Sequence, residues 1–325
     1  MPTRRSVLAA PLAAAVLARP AAAQGAWPDR PLRIVVGYPP GGSLDVLSRL
    51  LGEQLAQRLG QPVVVENRPG AGGNIGADAV AKAAPDGYTI ATAGVGIWAI
   101  NQFLYSRMPF SAERDLLPLS TVWEFPNVAV VPAQHVPART LAEFSAWAKA
   151  RPAGISYGSP GVGTTPHLST ALLMERAGIK GEHVPFRGAA QTIPAMLSGD
   201  VQFALDNLAS YVPVIQEGRM RALAVTGAER WPSLPDVPTM QEAGMDGFVV
   251  TSWTSFAVPA ATPRPVVDRL SAELRAICAD PALRQRAQII GAKLLGSTPE
   301  EARAQVAAEI PKWREMVRIS GARAE

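Results

Sequence analysis

Cysteine, histidine and charge are all scarce in this chain. A single cysteine, Cys278, among 325 residues excludes an intramolecular disulfide framework and any multi-thiolate metal centre. Three histidines, His135, His167 and His183, leave little for a histidine-based metal site. Only 18% of residues are charged while 48% are apolar. That is core material for one large or two ordinary domains, which excludes a disordered chain. The formal charge of +4 suggests a polyanion until its origin is traced. Arg4, Arg5 and Arg19 lie in the first 23 residues, which hold no acid, and the rest carries only +1. A near-neutral body is no electrostatic footprint for nucleic acid. Beyond those residues no window approaches 18 uninterrupted apolar residues, so no membrane span is expected.

The first 23 residues have the pattern of an export signal. Thr3, Arg4 and Arg5 form a charged start, an Ala/Leu/Val run from Val7 to Leu17 is broken only by Pro11, and Ala21, Ala22 and Ala23 precede Gln24. The apolar run is too short to span a bilayer. Paired arginines suit twin-arginine export, although Val7 and Leu8 follow where a bulkier pair is preferred; an ordinary secretory signal fits as well. Residues 1–23 are thus expected to be cleaved on export, and the mature chain to start at Gln24.

From Pro31 onward short β-branched runs alternate with helical periodicities. Residues 32–36 predict a strand, Val46, Leu47, Leu50, Leu51, Leu55 and Leu59 a helix, 63–65 a strand, 74–84 a helix and 88–93 a strand. This series implies right-handed crossovers in a mostly parallel sheet. It restarts with a strand at 127–131 and a helix opened by a capping box, Thr140 to Glu143. Strands at 155–157, 184–186 and 201–205 then alternate with helices from Thr165 and at 191–197, a second α/β unit of ordinary domain size. The passages 128–133 and 255–260 echo one another as strand, proline and following helix, which suits two chain crossings between lobes. The tail after Pro263 is helical, and Thr298 to Glu301 caps its last helix.

Three glycine-rich loops carry the candidate chemistry. Pro39 to Asp45 joins the first strand to the first helix, where glycines admit a ligand to the backbone and helix-start N–H groups attract an anion; Ser43 is a natural N-cap. Arg68 to Gly76 has only G-x-G-x-x-x-G spacing after the second strand, and a structural glycine loop fits better than a dinucleotide site. Gly158 to His167 has the G-x-x-x-x-G spacing of a phosphate loop but ends in Thr164-Thr165 where lysine is required. Such a neutral cradle suits one carboxylate better than three phosphates.

Other side chains admit two readings each. His167 is either a ligand-polarising group or a helix-capping one. Asp206 and Asn207, after the strand at 201–205, serve a ligand or a turn. Arg187 offers a bidentate fork to a carboxylate or a surface ion pair. Cys278, among Leu274, Ile277 and Leu283, is a packed core thiol. Neither Ser43 nor Ser159 stands in G-x-S-x-G, which argues against an exported α/β hydrolase.

Residues 33–43, the segment Gln61 to Gly76, Asp86 to Thr89, Arg221 to Thr226 and Leu234 to Thr239 resemble the Bug family, the substrate-binding receptors of tripartite tricarboxylate transporters. The resemblance covers essentially the whole mature chain. It implies an α/β, two-lobe periplasmic binding protein of type II, each lobe a mostly parallel sheet flanked by helices, with two hinge crossings. Lobe 1 would comprise 24–124 and 249–325, and lobe 2 residues 125–248. The resemblance further implies a small organic acid held between Tyr38, Gly41, Gly42, Ser43 and Asp45 of one lobe and Ser159, Gly161, Gly163, Thr164 and Thr165 of the other. His167, Arg187 and Asp206 complete the expected set, with Asp206 facing the distal part of the ligand. It implies no catalysis, cofactor or metal, a monomer, and membrane transporter subunits as partners; a sensor signalling to a membrane kinase is the alternative role. Leu44 stands where the family often has a hydroxyl residue. Trp98 and Trp123 either narrow the pocket or belong to the core.

Overall fold

The computed structural model describes residues 27–324, so the leader and its cleavage site lie outside the described residues. The first α/β series is present: β1 (Leu32–Val36), α1 (Ser43–Leu59), β2 (Val63–Asn67), α2 (Asn74–Ala81) and β3 (Thr89–Gly94). Helix α1 forms because Leu47, Leu50, Leu51, Leu55 and Leu59 recur on one buried face. It ends at Gly60 in the left-handed conformation, a helix stop that needs no side chain. β1 pairs in parallel with both β2 and β3. A π-helical turn, Gly96–Ile100, then leads into the short α3 (Asn101–Leu104) and α4 (Ala112–Asp115).

The largest departure from the sequence-based expectation is β4. In place of a strand at 127–131, β4 runs from Leu116 to Pro132. Pro118 and Pro126 disguise its first half, because proline is normally excluded from a strand interior. The structure accommodates the interruption with register shifts between Pro118 and Ser120 and between Thr121 and Trp123. The chain continues through α5 (Leu141–Lys149), β5 (Ile155–Ser159), α6 (Thr165–Ala177), β6 (Gly181–Pro185), α7 (Ala189–Leu197), β7 (Phe203–Asn207), α8 (Leu208–Gln216) and β8 (Met220–Val225). It closes with β9 (Thr251–Pro259), α9 (Arg264–Ala279), α10 (Pro281–Ile289), β10 (Lys293–Leu294) and α11 (Pro299–Ser320). The expected capping box is complete on α11, but only half formed on α5. There Thr140 accepts from Glu143 N, while the Glu143 carboxylate accepts from Arg139 N instead.

All strands join one sheet through β4, in the order β2-β1-β3-β9-β4-β7-β5-β6 with β8 and β10 also on β4. Between Leu116 and Pro126, β4 pairs antiparallel with β9 and β10; from Asn127 to Pro132 it pairs antiparallel with β7 and β8. β5 pairs in parallel with β6 and β7. The first crossing between the two halves is therefore at Pro126/Asn127, and the return is at Val250/Thr251. The echoed passages are the far ends of these two crossing strands, each leaving into a helix of the half it has entered. Thr226 joins the crossings: its Oγ1 accepts from Asn127 N at 2.8 Å and donates to Val250 O. Helix α11 lies against α6, β4 and the π-helical turn. Buried Trp313 donates to Glu309 at 2.6 Å, and Trp253 of β9 donates to the same carboxylate at 3.3 Å. Among the described residues no helix is long and apolar enough to cross a membrane.

Candidate functional site

The carboxyl ends of β1 and β5 each release a glycine-rich loop into a helix, and these loops are the candidate site. In the first half the loop is shaped by its neighbour. A Cβ on Gly37 would lie 2.7 Å from Gly73 Cα, so the Arg68–Gly76 glycines serve a close backbone contact between two loops. Tyr38 donates to Gly72 O at 3.1 Å, and burial pushes its phenol up to about 12. Asn67 Nδ2 donates to Tyr38 O at 3.0 Å and to Asp45 at 2.9 Å.

Asp45 is engaged within its own loop. It is buried, accepts from Gly41 N at 2.9 Å and takes both Nε and a terminal nitrogen of Arg49. Burial would raise its carboxyl, but the hydrogen bonds from Arg49, Gly41 N and Asn67 outweigh it and hold the group below the usual range. Asp45 thus positions the loop, and the Gly41 N–H is already used. Gly42, not Ser43, is the N-cap of α1, with Ser43 the first helical residue. The N–H groups of Gly42, Ser43 and Leu44 have no partner among the described residues, as expected at a helix start. Half-buried Leu44 packs toward Gly94.

The second loop is more self-contained than its sequence suggests. Ser159 Oγ is fully buried; it donates to Gly161 O at 3.0 Å, accepts from Gly161 N at 3.2 Å and lies 2.7 Å from His183 Nε2. Gly163 N donates to His167 Nδ1 at 3.1 Å. Thr164 is the N-cap of α6; its Oγ1 accepts from His167 N and donates to Gly161 O at 2.7 Å, and its own N–H reaches the same carbonyl. The N–H groups of Gly161, Gly163 and Thr164 are therefore consumed in building the loop. Those of Val162 and Thr165 have no partner among the described residues. Thr165 Oγ1 meets Ser252 Oγ of β9, which donates to Asn207 Oδ1 at 3.3 Å, so a chain of polar groups ties α6 to both halves.

His167 is an internal support. Its ring stacks on His183 with centroids 3.8 Å apart, and Tyr157 lies beside the pair, 5.2 Å from His183 and 6.4 Å from His167. Burial, then the neighbouring His183, push His167 down to about 3; burial pushes His183 down to about 4. Both rings are neutral at neutral pH, and His167 accepts through Nδ1, so its proton is on Nε2.

Asp206 is likewise internal, only 1% exposed, accepting from Asn207 N at 2.7 Å and from Tyr211 O–H at 3.0 Å. Burial raises its carboxyl to about 6 against those two hydrogen bonds. These two hydrogen bonds tie its carboxylate to the junction of β7 and α8. Arg187 is exposed at the end of β6, and its guanidinium makes no ion pair among the described residues. Trp98 donates to Ser255 Oγ at 2.8 Å and Ala93 O at 3.2 Å, while Trp123 meets Phe256 edge-on; both are core residues. Cys278 is core as expected, its thiol pushed up to about 12 by burial.

The Ser159–His183 contact was not legible in the sequence, because residues 24 positions apart meet only when β5 and β6 pair in register. It lacks the features of a nucleophile. Ser159 Oγ is inaccessible and tied to the loop backbone, and among the described residues no carboxylate hydrogen-bonds to His183. Leu104 of α3 was also missed. It covers Gly163, bringing the two halves into contact beside the site. The arrangement presents two uncharged loops with unpaired amides, suited to holding an anion by backbone dipoles.

Residues 47–321 match the family model described as tripartite tricarboxylate transporter family receptor, TctC. Protein BugT of Bordetella pertussis is 34% identical over 313 residues, covering 96% of this chain and 95% of that protein. Rpa4515 of R. palustris, solved with adipate, superposes with a TM-score of 0.86 at 34% identity, covering 91% of this chain and 98% of that one. MatC (Rpa3494) from Rhodopseudomonas palustris, solved with bound malate, has a TM-score of 0.81 at 31% identity, covering 90% and 100%. With a fold shared with periplasmic binding proteins and a family match over most of its length, the chain belongs to the TctC family of tripartite tricarboxylate transporter receptors, the family of the Bug proteins.

Proposed function

We propose that this chain is a non-enzymatic periplasmic receptor, exported by residues 1–23, that captures a small organic acid and presents it to a tripartite tricarboxylate-type membrane transporter. Lobe 1 is residues 24–124 and 249–325; lobe 2 is residues 125–248. One ligand carboxylate sits between the unpaired amides of Gly42, Ser43 and Leu44 and those of Val162 and Thr165. Helix dipoles favour the negative charge there, and closure about the crossings at Pro126/Asn127 and Val250/Thr251 removes competing water. Tyr38, Gly41 and Asp45 hold the first loop, and Ser159, Gly161, Gly163, Thr164 and His167 hold the second. Exposed, unpaired Arg187 is the cation available to a second carboxylate. The adipate and malate carried by the two relatives support a dicarboxylate as cargo.

The observation that carries this reading is the pair of amide-rich helix starts, one at the carboxyl end of each half's parallel strands. Its test is a thermal-shift and calorimetric screen of the monomeric mature chain from Gln24, stripped of ligand by unfolding and refolding. Adipate, malate, tricarboxylates and amino acids form the panel. A ligand at 100 times its Kd stabilises by about 2.7 kcal/mol, so one or a few acids should raise the melting temperature selectively. A flat response to every carboxylate, or turnover of a chromogenic ester, would overturn it.

A further inference from the structure

A cavity of about 750 Å³ lies away from both loops, beside the crossing strands. It falls in the size range of small-molecule pockets. Its walls come from the segment after β8, from the crossings at Pro126 and Thr251, and from α10, β10 and the start of α11. The floor is apolar, with Trp231 only 7% exposed beside Pro232 and Val249. Trp231 Nε1 and Ser233 Oγ, in the segment after β8, are buried polar atoms without partners.

The charges on the walls are specific. Arg230 is neutralised by Glu242, and the Glu301 carboxylate caps Thr298 N. Glu124, Glu229, Arg284 and Lys293 form no ion pair among the described residues. Glu124 and Lys293 stand directly opposite one another across the antiparallel β4–β10 pair, and both line the cavity. Opposed residues of such a pair project on the same face. One carboxylate and one ammonium, side by side but not joined, with an apolar floor beside them, match the head and body of an amino acid.

We propose that this cavity is a second small-molecule site, for an α-amino acid with an apolar side chain. The ligand's ammonium meets Glu124, its carboxylate meets Lys293 with Arg284 nearby, and its side chain lies on Trp231. Because the walls belong to both halves of the molecule, occupancy is linked to their relative position. The site is independent of the carboxylate reading of the two loops.

The test is calorimetry of the mature protein with L-phenylalanine, 3-phenylpropionate and phenethylamine. Phenylalanine should bind, and each analogue, lacking one charge, should bind about tenfold more weakly or worse. Lys293→Glu should weaken phenylalanine about tenfold, and Ala228→Trp, which fills the cavity from an exposed position, should abolish binding. Absence of binding at millimolar phenylalanine, or binding that survives both cavity variants, would overturn the proposal. The first outcome leaves the organic-acid reading of the loops untouched, and the second moves phenylalanine out of this cavity.

Discussion

Single residues decide whether the two loops are ready to receive an anion. Gly163 has φ +75°, and a Cβ there would fall 2.0 Å from Leu104 Cδ2. Gly163→Ala is therefore expected to lose about 1–3 kcal/mol of stability and to weaken organic-acid binding. Adding Leu104→Ala should restore part of the binding, because the clash is removed while the backbone strain remains. Urea midpoints and ligand-induced melting shifts report both effects; unchanged affinity in the single variant would refute the contact's importance. Asp45 allows a sharper distinction. If its carboxylate faced a ligand carboxylate, Asp45→Ala would tighten binding by removing repulsion. Its bonds to Gly41 N, Arg49 and Asn67 predict the reverse, weaker binding and a stability loss of about 2–3 kcal/mol. The pattern Gly41-Gly42-Ser43 was legible as a loop before a helix, but which of its amides remain unpaired was not. That depends on Asn67 and Arg49, 22 and 4 residues from Asp45, arriving at the same carboxylate.

At the level of elements, the long β4 and its partner β9 carry the link between the halves. Thr226 hydrogen-bonds to the backbone of both crossings through one hydroxyl. Thr226→Val keeps the shape and leaves a buried N–H of Asn127 and a buried C=O of Val250 without that partner. A cost of about 2–3 kcal/mol is expected, measured as a lower urea midpoint with an unchanged slope. A midpoint within error of the parent would show that neighbouring groups replace the hydroxyl. Periodicity identified α1 and the apolar face of α9, because each buries one stripe. It failed for the first half of β4, where Pro118 and Pro126 interrupt the pattern; a bulge follows Pro118, while Pro126 stays in register opposite Thr251 at the crossing. It also missed α8, whose Pro213 sits inside the helix.

For the whole molecule, pH couples to stability through buried groups of opposite sense. His167 and His183 have folded pKa values of about 3 and about 4, below 6.5. Between those values and 6.5 the unfolded chain binds protons that the folded protein refuses, so their contribution is present above 6.5 and lost as pH falls. Asp206, raised to about 6 from 3.8, acts oppositely, taking up a proton in the folded state first. The two histidines outnumber it, so the melting temperature should fall by a few degrees between about pH 6 and about pH 4.5. The double variant His167→Asn, His183→Gln keeps an acceptor and a donor without the titration and should flatten that fall. An unchanged slope would mean that other groups dominate.

The sequence by itself determined the alternation of strands and helices, the placement of three glycine loops between them, the scarcity of catalytic and metal-binding side chains, and the family resemblance. These follow from local chemistry: periodic burial, glycine and proline constraints, and helix-start signals act over a few residues. Tertiary structure alone decided that β4 spans both halves and that His167, His183 and Asp206 are hydrogen-bonded or stacked within the protein. It also decided that Leu104 covers Gly163, and that Glu124 and Lys293 share one face beside a cavity. Each depends on which distant residues meet, and a hydrogen bond or a clash exists only once both partners have been brought to the same place.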